Sequence, residues 1–222
     1  MKIINLTRLH PYIRYNNISF IIKFNNINEI WLFNCHQGCQ HTFINKRIKI
    51  NQISKIIISD LNSNNICGLL GLLSSLSLIK RNKSLHIYCP SGLNKYIKLG
   101  KKYSQTNFHY NLYLHILKTG LIINSNSCHI YSFINKSKFE FIIINKEQKG
   151  RFKLNKAKNF NLTLGPLYGK LKKGSKFLLP DGYILDGNYF TSINNKGIRT
   201  SCLSNKYNKR HSIEINNRSQ II

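Results

Sequence analysis

The stretch that decides the fold is residues 56–73, IIISDLNSNNICGLLGLL. Ile56, Ile57 and Ile58 form a β-branched run of the kind that packs on a pleated, buried surface. Ser59, Asp60, Leu61, Asn62, Ser63, Asn64 and Asn65 follow, and their short polar side chains bond their own backbone, which favours a loop. Leucines then recur between small residues as far as Leu78. That spacing predicts a helix over residues 68–78 with an apolar face against a sheet. Buried strand, exposed loop and helix are therefore expected in that order.

Working outward, residues 18–22 (ISFII) and 30–33 (IWLF) are β-rich runs separated by an Asn-rich turn, and they predict an antiparallel opening to the sheet. Downstream, LHIYC at 85–89 reads as a strand, PSGL as its turn and residues 94–103 as a helix. Strand, helix, strand and helix in succession imply parallel strands covered by helices. Residues 111–144 hold further strand-like runs, including FEFIII at 139–144.

Composition bounds the function more loosely. Lys plus Arg total 34 against 7 Asp plus Glu, a formal charge of +27 spread over 222 residues, which attracts polyanions and makes nucleic acid the default partner. Lys, Asn and Ile are over-used while Ala is nearly absent, so AT-rich coding accounts for much of the same excess, and both readings stay open. Six cysteines are scattered, with only Cys35 and Cys39 closely spaced, which predicts reduced thiols in an intracellular compartment. MKIINLTRLH lacks a signal-peptide core and the apolar stretch near residues 66–79 is too short to span a bilayer, so no membrane partner is expected.

Four segments together resemble ribonuclease Z, the zinc phosphodiesterase that trims tRNA 3′ trailers, in the metallo-β-lactamase superfamily. LFNCHQGCQ at 32–40 is similar to the family's L-F-D-C-G-E-G-T-Q, and CPSGL at 89–93 to its G-P-x-G-L turn. The loop at 59–65 stands where the family has T-H-x-H-x-D-H, the source of its first metal ligands. Leu164-Gly165-Pro166-Leu167-Tyr168-Gly169-Lys170-Leu171-Lys172-Lys173-Gly174, followed by Leu179-Pro180-Asp181-Gly182, resembles the family's tRNA-gripping arm. The resemblance implies an α/β, metallo-β-lactamase-like αβ/βα sandwich with a mixed sheet, an incomplete C-terminal half and a protruding basic arm. It divides the chain into a core at 1–146, the arm at 147–187 and a short remnant of the second half at 188–222.

The same resemblance implies what has become of the site. The family reaction uses two zinc ions and a bridging hydroxide, and zinc takes imidazole, thiolate or carboxylate ligands. Asp60 stands where a histidine is needed, and Asn62, Asn64 and Asn65 replace His, Asp and His. Counting back from Gly150-Arg151-Phe152, the next histidine falls on Ile134, and the bridging aspartate falls on Asn205. His36 and His41 fall on no ligand position. The expectation is an inactive homologue with no bound metal or other cofactor, binding tRNA or pre-tRNA through Gly165, Pro166, Gly169, Lys170, Lys172, Lys173 and Gly174. The alternative is an active zinc endonuclease using unidentified ligands, with His36, His86 and His129 as candidates. A sheet short of its last strands leaves an open edge, so a homodimer, or a dimer with a fuller homologue, is expected. The family's occurrence in algal plastid genomes implies residence in the plastid stroma.

Overall fold

A computed structural model describes residues 2–6, 19–24, 28–125, 128–135, 137–147, 150–160, 162, 165–179, 182–192, 197–202 and 220–221. The chain divides into two compact units, one of Met1–Asn124, His129–Ile143 and Thr200–Ile222, the other of Ser125–Cys128 and Ile144–Arg199.

The first unit opens with β1 (Lys2–Asn5), β2 (Phe20–Phe24) and β3 (Glu29–Phe33), which pair antiparallel in the order β1-β2-β3. After α1 (Cys39–Asn45), β4 (Ile53–Ile57) pairs parallel with β3. A one-turn helix α2 (Ser63–Ile66) and α3 (Leu69–Leu78) lead to β5 (Leu85–Cys89), and α4 (Leu93–Ser104) leads to β6 (Leu112–Ile116), both strands again parallel to their neighbours. The result is a six-stranded mixed sheet in the order β1-β2-β3-β4-β5-β6.

Period decides which face is buried. Leu69, Leu72, Leu73 and Leu76 recur at i, i+3, i+4 and i+7, so one stripe of α3 is fully buried against Ile30, Leu32, Ile56, Leu85 and Ile87 of the sheet. Each such leucine contributes roughly 1.5–3 kcal/mol by leaving water. On the other face of the sheet Phe20 and Phe33 stack at 4.4 Å, and Phe33 meets Phe141 edge-on at 5.6 Å. Phe141 belongs to a second sheet, built from β7 (Gly120–Asn124), β8 (Cys128–Asn135) and β9 (Lys138–Asn145) with the later β12 (Arg199–Cys202) and β13 (Gln220–Ile221).

One local expectation changes. Residues 59–65 were expected as loop throughout, yet residues 63–66 close a helical turn. Asn62 caps it, its side-chain oxygen accepting from the Asn64 backbone N–H at 3.2 Å.

The second unit has its own small core. Helices α5 (Leu154–Asn159) and α6 (Pro166–Lys172), the hairpin of β10 (Lys176–Leu178) and β11 (Ile184–Asp186), and a 3-10 turn at Gly187–Phe190 converge on Ala157, Leu171, Leu185 and Phe190. Phe160 packs edge-on against Phe190 at 5.4 Å.

Candidate functional site

The loop at 59–65 leaves the carboxyl end of β4 and is held from both sides. Ile58 donates its N–H to Tyr88 and Asn34 to Ile57, each at 2.9 Å, while the Cys35 N–H reaches the Asn65 carbonyl at 2.7 Å. The Gly68 N–H then returns to the Cys35 carbonyl at 3.1 Å. This return is why glycine stands there, since a Cβ on Gly68 would lie 2.1 Å from the His36 carbonyl oxygen.

Four side chains at the candidate ligand positions split into two pairs. Asp60 and Asn65 turn inward and are 6% and 2% exposed, whereas Asn62 and Asn64 are exposed. The inward pair bond each other, Asn65 Nδ2 donating to Asp60 Oδ1, and Asn65 Nδ2 also reaches Ser59 Oγ at 3.4 Å. Asp60 Oδ1 accepts from the Asn62 N–H at 3.2 Å. Its other oxygen faces Lys138 Nζ at 3.1 Å, so an ammonium from β9 balances the buried carboxylate. Asn34 adopts φ 53° and uses Oδ1 to accept from both the N–H and hydroxyl of Ser59, at 2.9 and 3.1 Å. Phe139 closes the ring, its N–H donating to the Ser59 carbonyl at 2.9 Å.

Ile134 lies on β8 with its hydrocarbon side chain 58% exposed. Asn205 lies outside the described residues. Burial lowers the affinity of His36 for a proton, and His41 is exposed on α1. Among the described residues no three His, Cys, Asp or Glu side chains are grouped so as to hold a metal ion. Beside the loop the buried thiols of Cys35 and Cys39 face each other at 3.3 Å, and their hydrogen bond together with burial pushes the Cys35 thiol well above its ordinary value.

Within residues 165–174, Pro166–Lys172 form α6. Gly165 precedes α6, Pro166 occupies its first turn, and Leu171 alone of its side chains is fully buried. Lys170, Lys172 and Lys173 are exposed. Gly174, at φ 80°, ends the helix in the left-handed conformation that glycine adopts without strain. Gly169 has no such reason: a Cβ there would meet nothing within 4 Å. Pro180 and Asp181 lie outside the described residues.

Reading motifs along the chain did not single out Lys138, the counter-ion of Asp60. Nor did it find that His86 pairs with His115, since both partners are remote in sequence. Alternation along 138–145 was the one available signal, because it sets which face of β9 Lys138 shares.

No family model matches the chain. Two curated relatives, the uncharacterized ycf56 proteins of Porphyra purpurea and Pyropia yezoensis, are 39% identical over 197 residues and 42% over 185, covering 85% and 81% of this chain and 74% and 70% of their own lengths. Ribonuclease Z of Nostoc sp. is 34% identical over 178 residues, 78% of this chain, and the chain spans 55% of that relative's length. Human tRNase Z, short form, superposes with a TM-score of 0.56 at 22% identity over 65% of each chain, and a yeast long-form RNase Z with 0.53 at 15% identity over 90% of this chain and 28% of its own. The mixed sheets and helices described above are thus the metallo-β-lactamase fold, and the chain belongs to the ycf56 family as a homologue of ribonuclease Z.

Proposed function

We propose that the chain binds tRNA or its precursors in the plastid stroma and does not cut them. The observation that carries this reading is the Asp60–Asn65–Lys138 arrangement. The one carboxylate left in the loop is already occupied by an amide and an ammonium, and neutral amides are poor zinc ligands. The donor set does not fit a pair of zinc ions, so no hydrolytic step is derived through them. Binding falls to α6 and its flanks, where Pro166 opens the helix and Gly174 ends it, Gly165 and Gly169 leave the backbone uncovered, and exposed Lys170, Lys172 and Lys173 neutralise phosphate without reading bases. Among the described residues β1 and β6 end the six-stranded sheet, and such edges support association, as a homodimer or with a fuller homologue. The relatives are ycf56 proteins of Porphyra and Pyropia, which supports the plastid.

Two measurements on the purified chain test this. Elemental analysis after dialysis is expected to find well under one zinc per chain, and two stoichiometric zincs overturn the loss of the site. Replacing Lys172 and Lys173 together with Ala is expected to weaken folded tRNAs of different sequence about equally. It should also lower the slope of log affinity against log salt by roughly one unit per lost contact. If the Lys101→Ala/Lys102→Ala variant loses as much, the charge is acting diffusely and α6 has no dedicated role.

A further inference from the structure

The face of the six-stranded sheet turned away from α3 carries an unusual row of rings at its β5–β6 end. Alternation puts Leu85, Ile87 and Cys89 of β5 into the core and His86 and Tyr88 on the opposite face, and Tyr113 and His115 of β6 lie beside them in register. Tyr113 stacks on His86 at 5.1 Å, His86 on His115 at 5.3 Å and His115 on Tyr88 at 4.7 Å, with interplanar angles of 16–19°. His86 Nδ1 and His115 Nε2 are 3.0 Å apart, joined by a hydrogen bond. Burial, His115 and Lys55 outweigh Glu29 and lower the affinity of His86 for a proton, which favours the neutral ring. Tyr113 is 47% exposed and presents the open end of the row.

His86 also lines a cavity of about 680 Å³ at the amino ends of β3, β4 and β5, a size that suits a nucleotide-sized group. Lys49, Lys55 and Lys83 line it together with Asn51 and Gln52. The cavity is held open by structure: Arg81, 1% exposed, donates to the carbonyls of Asn51, Lys83 and Ser84 at 3.0, 2.7 and 2.9 Å and so fixes the loops that enter β4 and β5. Among the described residues lining it, Glu29 is the only carboxylate. Burial alone would raise it, but Trp31, Ser54 and Lys55 outweigh that and hold it below its ordinary value, leaving the lysines in excess.

We propose that this face binds a single-stranded RNA segment, one base stacking on Tyr113 at the end of the Tyr113–His86–His115–Tyr88 row and the adjoining phosphates lying toward Lys49 and Lys83. Stacked flat rings beside lysines are the chemistry of sequence-tolerant single-strand binding, and a duplex hides the base faces that the row requires. Two imidazoles without a third ligand do not make a metal centre, and a cationic, amide-lined cavity does not suit an apolar partner. The site lies at the opposite end of the five-residue β4 from residues 59–65, on the order of 15 Å away at about 3.3 Å per residue. It is separate from α6 and does not rest on the tRNA-binding role given to that helix.

The test uses the full chain and a fluorescein-labelled oligouridylate, followed by anisotropy at fixed salt. Tyr113→Ala is expected to raise Kd roughly tenfold, in line with the loss of one stacked base, while Tyr113→Phe keeps the parent affinity because the ring remains. Lys49→Ala/Lys83→Ala should weaken binding and flatten its salt dependence by about 0.7 per phosphate contact. Tyr113→Ala should weaken oligouridylate more than folded tRNA, whereas Lys172→Ala/Lys173→Ala should weaken folded tRNA more than oligouridylate, so failure here and failure of the α6 reading are separable. An affinity within twofold of the parent for folded Tyr113→Ala overturns the site, as does an equal loss from Lys101→Ala/Lys102→Ala. If Tyr113→Ala does not fold, the exposed Lys49/Lys83 pair decides by the same criterion.

Discussion

Residues 59–65 and residues 165–174 are both short polar segments seated on buried apolar side chains, Ile58 and Ile66 around the first and Leu171 beneath the second. They direct their polar groups in opposite senses. In the first, Asp60, Asn65, Ser59 and Asn34 point at one another, and Lys138 completes the set. In the second, Lys170 and Lys172 project from α6 and Lys173 from its C-terminal cap, and the one buried side chain of the helix, Leu171, is an anchor. Polar groups that satisfy each other hold a loop in place and are withdrawn from a ligand, because each new contact would first break an internal one. Lys170 and Lys172 instead stand on the exposed face of α6. The first region is built as framework, and the second leaves its charges at the surface.

The largest effect expected on this contrast comes from the glycine that lets the loop return. Gly68→Ala places a methyl group against the His36 carbonyl, where neither backbone has room to move, and should cost about 3 kcal/mol. In a chain of this size that is roughly a 10 °C fall in Tm by circular dichroism. An unchanged Tm would mean that residues 59–68 are not held as described.

A smaller loss is expected at the centre of the network. Asp60→Ala leaves the buried Asn65 amide and the Lys138 ammonium without their carboxylate, and urea denaturation should show a loss of about 2 kcal/mol. Near-neutrality in that variant would reopen the loop as a site whose polar groups are not committed to the fold.

Gly169→Ala should give the smallest change, and of opposite sign. The position is exposed inside α6 with open space around it, so the variant should gain about 0.5–1 kcal/mol in stability. If the bare backbone there meets phosphate, the same variant weakens tRNA binding in a gel-shift titration while the fold strengthens. Unaltered binding would confine the arm's contribution to its lysines.

The core was legible because it is written in local periods. Four leucines at 69, 72, 73 and 76 and the β-branched run at 56–58 announce a helix and a strand with no knowledge of their neighbours. The one-turn helix at 63–66 was missed because Asn62 favours a cap and a loop through the same side-chain oxygen, and which it does depends on where the chain goes next. For the arm, Gly-Lys-Leu-Lys was readable as a basic segment, but its helical state depends on Leu171 finding Ala157, Leu185 and Phe190.

By itself the sequence determined the order of strand, loop and helix, the excess of positive charge, and the presence of amides at 62, 64 and 65 and of isoleucine at 134, because these are properties of residue type and of spacing along one element. Only the tertiary structure decided that Asp60 and Asn65 face inward while Asn62 and Asn64 face out, that Lys138 arrives from another sheet as the counter-ion, and that His86 meets His115 from 29 residues away. Such pairings depend on sheet register and on packing between distant segments, and a shift of one residue along β6 would turn Tyr113 and His115 into the core and dissolve the row.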